Sequence, residues 1–176
     1  LVIELAGVLQ SKAEVDKAEN LLKNLIAQQQ IDDEYKADIF LDLGTLYLEK
    51  KQYNLAIEYL KKADKMYITV FGEKNIFSVD AAIALSKCYL QIGDWKKANQ
   101  YAYNARLLTI NNGSISYPFD HWMCRLQEMY CIKAMLENKT IKHTQTPYYI
   151  AMIKDILQEV KRIKQTYYSN GTKMHY

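Results

Sequence analysis

The sequence predicts an all-α protein built as a solenoid of stacked antiparallel helix pairs, and three observations carry this prediction. The 176 residues include only 6 Gly and 2 Pro, fewer than a sheet-rich domain with many tight turns needs. Small and aromatic residues recur at one constant offset in the first two thirds of the chain. Apolar residues follow helical spacing in the last third. At this length the chain can bury about 70% of its unfolded surface without help from a metal or disulfide.

The constant offset is the distance along the chain from Leu43 to Leu85, and we call it the repeat offset. It joins five pairs of positions that keep their residue type or size. The pairs are Leu43 and Leu85, Gly44 and Ser86, Tyr47 and Tyr89, Ala56 and Ala98, and Ala63 and Ala105. Antiparallel helices need small residues where their axes approach closely, so we expect Gly44 to face Ala56. One repeat later, we expect Ser86 to face Ala98. The sequence thus predicts successive helical hairpins, each covering the apolar face that its neighbour leaves open.

With Phe40 and Leu60 added, these positions resemble the signature of the tetratricopeptide repeat. The resemblance implies a right-handed superhelical α-solenoid of three to four repeats with a C-terminal capping helix. The expected repeats cover residues 1–31, 37–71 and 79–110, followed by a degenerate helix pair and capping helix at 117–168 and a tail at 169–176. The long repeat step, with Gly72 after an extended second helix, is similar to the extended repeats of kinesin light chain.

The last predicted helix carries an apolar seam with alternating steps of four and three residues. Its members are Tyr149, Ile153, Ile156, Val160, Ile163 and Tyr167. Such a heptad-like spacing places all of them on one side of the helix. The seam fits a helix that caps the solenoid with its apolar side inward, and it also fits a helix that pairs with a partner helix.

Charge and hydropathy exclude two classes of partner. Residues 1–80 hold 10 basic and 14 acidic residues, whereas residues 81–176 hold 13 and 6. Lys outnumbers Arg by 20 to 3, and Arg is the usual reader of bases, so we expect no nucleic-acid partner. No run of about 18 apolar residues is present, so we expect no membrane span.

The start lacks a basic secretory signal and the three cysteines are scattered, which favours a cytoplasmic location, with association to the cytoskeleton as an option.

Motifs for catalysis or for cofactor binding are missing from the sequence. The glycines never cluster into a phosphate loop, and neither His-Glu-x-x-His nor Cys-x-x-Cys occurs. His121, Cys124 and Cys131 fall on one predicted helix, whereas a zinc site needs four ligands from more than one element. We therefore expect no catalytic residue, no cofactor and no metal site, and we expect the cysteines to be buried and inert.

The first helices of stacked pairs line a concave groove, and the repeat register predicts which residues face it. They are Leu41, Thr45, Leu48, Ile83, Lys87, Leu90, Arg125 and Glu128. The middle of this groove is apolar, and Lys87, Arg125 and Glu128 are its polar anchors. Such a surface suits an amphipathic helix or an extended peptide.

The sequence therefore favours a non-catalytic scaffold or adaptor that binds a protein or peptide in the groove. Repeats that bind the C-terminal carboxylate of chaperones use Lys and Asn where this chain has Ile3, Gly7, Leu41 and Thr45, so a different partner is expected. One alternative is the helical C-terminal lobe of a larger enzyme, similar to that of SET/MYND lysine methyltransferases. Another is a constitutive subunit of a large cytoskeletal assembly. The groove could also be filled by another part of the same protein.

Overall fold

The computed structural model describes residues 12–27, 31–112 and 118–169, and these residues form helices with no β-strand among them. The helices are α1 (Lys12–Ile26), α2 (Asp33–Glu49), α3 (Tyr53–Phe71), α4 (Ser78–Gln91), α5 (Trp95–Asn111), α6 (Pro118–Glu137) and α7 (Thr146–Ser169), with a 3-10 turn at His143–Gln145 before α7. The predicted all-α class is confirmed. The helix expected within residues 1–11, with Ile3 and Gly7, and most of the expected tail lie outside the described residues.

Helices that follow one another in sequence also pack against one another. The pairs α2–α3, α4–α5 and α6–α7 form hairpins, and α3 and α5 pack on α4 and α6, the first helices of the following pairs. On one side of the stack the first helices α2, α4 and α6 touch in succession, while α1 packs on α2. This arrangement confirms the predicted solenoid of stacked helix pairs. None of the helices in the described part of the chain combines the length and the hydropathy needed to span a membrane.

The same C-terminal motif ends the first helix of each of the three hairpins. Its central residue has a left-handed backbone, with φ of 58° at Lys51, 81° at Gly93 and 54° at Lys139. The next amide donates a hydrogen bond to the carbonyl five residues earlier, which is the long bond of a Schellman motif. These bonds join Gln52 to Tyr47 at 2.8 Å, Asp94 to Tyr89 at 3.0 Å, and Thr140 to Met135 at 3.0 Å.

This shared turn fixes the register of the repeats. Tyr47, Tyr89 and Met135 are equivalent, so the first step equals the repeat offset and the second is four residues longer. The second step is longer because α6 has 20 residues against 14 in α4, whereas α5 has 17 against 19 in α3. The repeat offset therefore holds for the first two hairpins and slips by four residues at the third.

Small residues lie where the helices approach most closely. A Cβ on Gly44 would meet Leu60 of α3, whose atoms are the nearest to that position, so Leu60 rather than the expected Ala56 sets this approach. The Ser86 hydroxyl donates to the carbonyl of Ala98 at 2.7 Å, which is the predicted pairing. The buried alanines of the second helices are Ala56, Ala63, Ala98, Ala102 and Ala105, all with no exposed surface.

Aromatic pairs repeat with the same register. Tyr47 stacks on Tyr59 with ring centroids 5.3 Å apart, and Tyr89 stacks on Tyr101 at 5.4 Å. Both members of the pair are displaced by the repeat offset, so the packing between first and second helix is reproduced in detail. In α7, Ile156 of the apolar seam is fully buried, and Tyr149, Ile153 and Val160 are half-buried. The first four members of the seam thus face the rest of the fold, whereas the side chains of Ile163 and Tyr167 lie outside the described part of the chain.

Candidate functional site

The inner faces of α2 and α4 form a continuous strip. In each helix the residues at steps of three and four share one side, and the two helices touch. On α2, Leu41 and Leu48 are half-buried and Thr45 is exposed. On α4, Ile83 is buried, Lys87 is exposed and Leu90 is half-buried. The strip therefore presents apolar residues on both sides of an exposed polar row.

The register set by the hairpin turns identifies the equivalent residues on α6, which continue this strip. With the longer second step, the positions of Ile83, Lys87 and Leu90 fall on three residues of α6. They are Met129, Lys133 and Leu136, which are half-buried, exposed and half-buried. This order of exposure matches that of the inner residues of α2. We call the nine residues of the three helices the inner groove. They are Leu41, Thr45, Leu48, Ile83, Lys87, Leu90, Met129, Lys133 and Leu136.

Arg125 and Glu128, which the sequence placed in the groove, lie at other positions. Only 8% of Arg125 and 2% of Glu128 is exposed. The Arg125 guanidinium donates to Glu128 at 3.1 Å, to Asp155 at 2.9 Å and to Glu159 at 2.6 Å. Both charges are paired within the chain. The groove positions of α6 fall further along that helix because the register slips by four residues between α4 and α6.

This network joins α5 and α7 to α6. Arg106 of α5 donates to Glu128 at 3.0 Å, while Asp155 and Glu159 belong to α7. His121 lies between Thr109 Oγ1, at 2.9 Å, and Glu159 Oε1, at 3.3 Å. Burial alone would raise the pKa of Glu159, but Arg125 and His121 outweigh it and the pKa is lowered. The network therefore fixes α7 on the stack.

Four carboxylates lie on the same three helices, on the N-terminal side of Thr45, Lys87 and Lys133. Asp38 and Asp42 are on α2, Asp80 is on α4 and Asp120 is on α6; we call them the acidic edge. Burial and the neighbouring Asp38 raise the pKa of Asp42 to about 6. Burial and the charge of Asp120 likewise raise the pKa of Asp80, and burial raises that of Asp120.

Asp80 combines surface exposure with poor solvation. Asp80 is exposed, yet burial is the main cause of its raised pKa. A side chain on the wall of a groove can touch water and still have protein on several sides, which disfavours its charged form. Within the described residues, no member of the acidic edge makes a salt bridge.

One hydrogen bond ties the acidic edge to the second helix of its hairpin. The Tyr67 hydroxyl of α3 donates to Asp38 Oδ1 at 2.6 Å. Burial and the Asp38 carboxylate raise the pKa of this hydroxyl, so it remains a donor at neutral pH. The bond holds Asp38 in place while Asp42 lies one turn further along the same face.

The sequence reasoning missed the acidic edge, although one signal was available. Asp38 and Asp80 are separated by the repeat offset. A recurring exposed acid at the repeat period has no packing role of the kind that recurring Gly or Ala has. It indicates a surface feature that the two repeats share.

Within the described residues, the three thiols show no sign of reactivity or of metal binding. Cys88, Cys124 and Cys131 are free and buried. Burial raises the pKa of Cys88 to about 11 and that of Cys124 to about 12, so both stay protonated and unreactive at neutral pH. Among the residues that the structure describes, no group of three or more His, Cys, Asp or Glu side chains is arranged to hold a metal ion.

Comparison with known proteins matches part of the chain to one family. The family model of the tetratricopeptide repeat matches residues 39–105. This segment runs from α2 through most of α5, so it covers the two hairpins that share the repeat offset. The resemblance to tetratricopeptide repeats is thus confirmed for this part of the chain. No curated protein and no solved structure matches the chain.

Proposed function

We propose that this chain is a non-catalytic scaffold that binds a peptide or helix of a partner protein in its inner groove. Tetratricopeptide repeats generally mediate interactions between proteins, and their helical fold is typically non-catalytic. The observation that carries the proposal is the repetition of one surface on three successive helices. Each offers an exposed residue between two apolar ones: Thr45 on α2, Lys87 on α4 and Lys133 on α6.

The finer parts of the proposal concern subtype and location. We propose that the repeats are of the extended kind found in kinesin light chain, since α3 runs for 19 residues to Phe71 before Gly72 ends it. A cytoplasmic location and membership of a cytoskeletal assembly belong to the same proposal, and the partner's identity would decide them. The enzyme-lobe alternative has no comparable observation in its favour.

Blocking the groove with bulky side chains tests the proposal. Thr45 and Lys87 are exposed on neighbouring helices, so the double variant Thr45→Tyr/Lys87→Tyr fills the groove without disturbing the core. Ile83 is a poorer target because it is 8% exposed, and a charge there would test folding. A random library of twelve-residue peptides is selected on the native chain, and the affinity of the tightest peptide is measured by fluorescence anisotropy. We expect the double variant to bind at least about tenfold more weakly, a loss of about 1.4 kcal/mol.

The matched control places the same two side chains on the second helices. Asn54 of α3 and Gln100 of α5 are also exposed, so Asn54→Tyr/Gln100→Tyr introduces the same two aromatic rings outside the groove. We expect this control to bind the peptide as the native chain does, with the same circular dichroism. The proposal fails if the library yields no binder or if both double variants bind equally well.

A further inference from the structure

We propose that the partner segment is basic and extended, with Lys or Arg at intervals of three residues that face the acidic edge while its apolar residues lie in the inner groove. This inference rests on the proposed function and deepens it. Its observations are the position of Asp38, Asp42 and Asp80 beside the groove, and the absence of salt bridges to them within the described residues.

Charge complementarity selects the occupant. The whole chain has a net charge of +3, so a basic peptide is not attracted by the protein's overall charge. The acids are instead concentrated on one edge of the groove, where the charges of Asp38, Asp42 and Asp80 all act on the Tyr67 hydroxyl. Along α4, Asp80 precedes Ile83 and Lys87 follows it. The charge of Lys87 offsets part of the rise in the pKa of Asp80 but forms no salt bridge with it. A segment with cations along one edge only matches this distribution.

Stabilisation of helix ends does not account for the whole edge. Asp80 and Asp120 lie in the first turns of α4 and α6, where acids interact favourably with the helix dipole. Asp38 and Asp42 lie beyond the first turn of α2, so the dipole gives them little. Asp42 in particular is poorly solvated and close to another carboxylate. A cation from a partner would relieve this repulsion.

The spacing of the helices suggests the spacing of the cations. Axes of packed helices are about 8–10 Å apart, and α2 touches α4. A segment extended as a polyproline II helix advances about 3.1 Å per residue with three residues per turn. Such a segment covers one helix in about three residues, and its residues three positions apart share a side. Two basic residues three positions apart would then face Asp38 and Asp42 on one helix and Asp80 on the next.

The random twelve-residue peptide library also tests this inference. It is selected in parallel on the native chain, on Asp42→Asn/Asp80→Asn, and on the control Asp32→Asn/Asp33→Asn. The control makes the same change in charge at exposed positions at the start of α2. We expect the native and control chains to enrich peptides with Lys or Arg three residues apart, and the acidic-edge variant to lose that preference while it still selects apolar residues.

A second measurement uses the tightest peptide from the native selection. Replacing its basic residues by Gln is expected to weaken binding about tenfold to the native chain, and raising the salt concentration is expected to weaken it further. Against Asp42→Asn/Asp80→Asn, the same replacement is expected to change affinity by less than about twofold.

The outcomes separate this inference from the proposed function. Apolar peptides with no preference for cations would overturn the inference and leave the groove as a binding site. Selection of acidic peptides, or equal loss in the control chain, would also overturn it. A library that yields no binder at all would remove the proposed function and the inference together.

Discussion

Gly44 lies so close to Leu60 that a Cβ on the glycine would come within 2.5 Å of Leu60 Cγ and 3.1 Å of the Leu60 amide nitrogen. Leu60 is fully buried, so its side chain has little room to move away. The equivalent position in the next hairpin is Ser86, whose hydroxyl donates to Ala98. The two hairpins therefore solve the same close approach differently, one with no side chain and one with a hydrogen bond.

The first prediction concerns Gly44→Ala. Alanine favours a helix over glycine by about 1 kcal/mol, so the change would stabilise an exposed helix. Here we expect a net loss of about 1–3 kcal/mol in the free energy of unfolding, because the new Cβ overlaps Leu60 and α2 must shift away from α3. Urea unfolding followed by circular dichroism measures it. Thr45→Ala, at the exposed neighbouring position, is the control and should be neutral or stabilising; a stable Gly44→Ala protein would contradict the close approach.

The fold could be predicted from the sequence because its determinants are local and recurrent. Gly44 and Ser86, like the alanine pairs at 56 and 98 and at 63 and 105, are separated by one offset. A small residue at a helix contact leaves few alternative packings. The position of Arg125 could not be predicted, because it depends on how long α6 is relative to α4. That length is set by a turn at Lys139 whose left-handed backbone needs no glycine.

The acidic edge illustrates a different limit. Asp38 and Asp80 are visible in the sequence, but their significance depends on how much protein surrounds each carboxylate. Such surroundings arise only when α2, α4 and α6 lie side by side. A count of charges over residues 1–80 shows an acidic half, whereas only the packed helices show that some of the acids border a groove.

The second prediction concerns Asp42→Asn and the pH. The pKa of Asp42 is raised to about 6 from an ordinary value of 3.8, so the folded state holds its proton more tightly than the unfolded state. This contribution to stability is fully present below pH 3.8 and is lost as the pH rises through 6. Because Asp42 is partly exposed, we expect Asp42→Asn to be about 1–2 kcal/mol more stable than the native chain at pH 7.

Thermal unfolding at pH 7 and pH 4 checks this prediction. The stabilising effect of Asp42→Asn should be greatest at pH 7 and small at pH 4, where the native carboxyl is largely protonated. Asp32→Asn, on an exposed residue of the same segment, is the control for the loss of one negative charge. An equal effect at both pH values would show that repulsion and burial at Asp42 are not the cause.

The third prediction concerns Arg125, which connects α6 to α7. Arg125→Met leaves the buried Glu128 with Arg106 as its remaining cation and leaves Asp155 and Glu159 without this partner. Removing one member of a buried charge network costs about 3–5 kcal/mol, and we expect a loss near the lower end because Asp155 is exposed. In the Arg125→Met variant, hydrogen exchange should be faster than in the native chain throughout α7, with little change in α2.

Arg125→Lys distinguishes geometry from charge. Lysine keeps the positive charge but lacks the planar fork that reaches three carboxylates, so we expect it to recover only part of the lost stability. Lys154→Met, at an exposed position of α7, should leave exchange unchanged. If Arg125→Met did not accelerate exchange in α7, the apolar seam alone would be holding the last helix.

The fourth prediction concerns Glu19, which attaches α1 to α2. Its carboxylate accepts hydrogen bonds from Lys23 at 2.6 Å, Lys50 at 2.7 Å and Tyr47 at 2.7 Å, and Lys23 and Lys50 lower its pKa to about 2 from 4.5. A lowered folded-state pKa stabilises the fold above pH 4.5, and this contribution is lost as the pH falls toward 2. Since Lys23 is exposed, we expect Glu19→Gln to lower the free energy of unfolding by about 1–2 kcal/mol at pH 7 and by much less at pH 3, with faster hydrogen exchange confined to α1.

Glu58→Gln is the control. It breaks an exposed pair within α3 and should cost less than about 0.5 kcal/mol. Equal losses in the two variants would mean that Glu19 contributes no more than an ordinary surface charge.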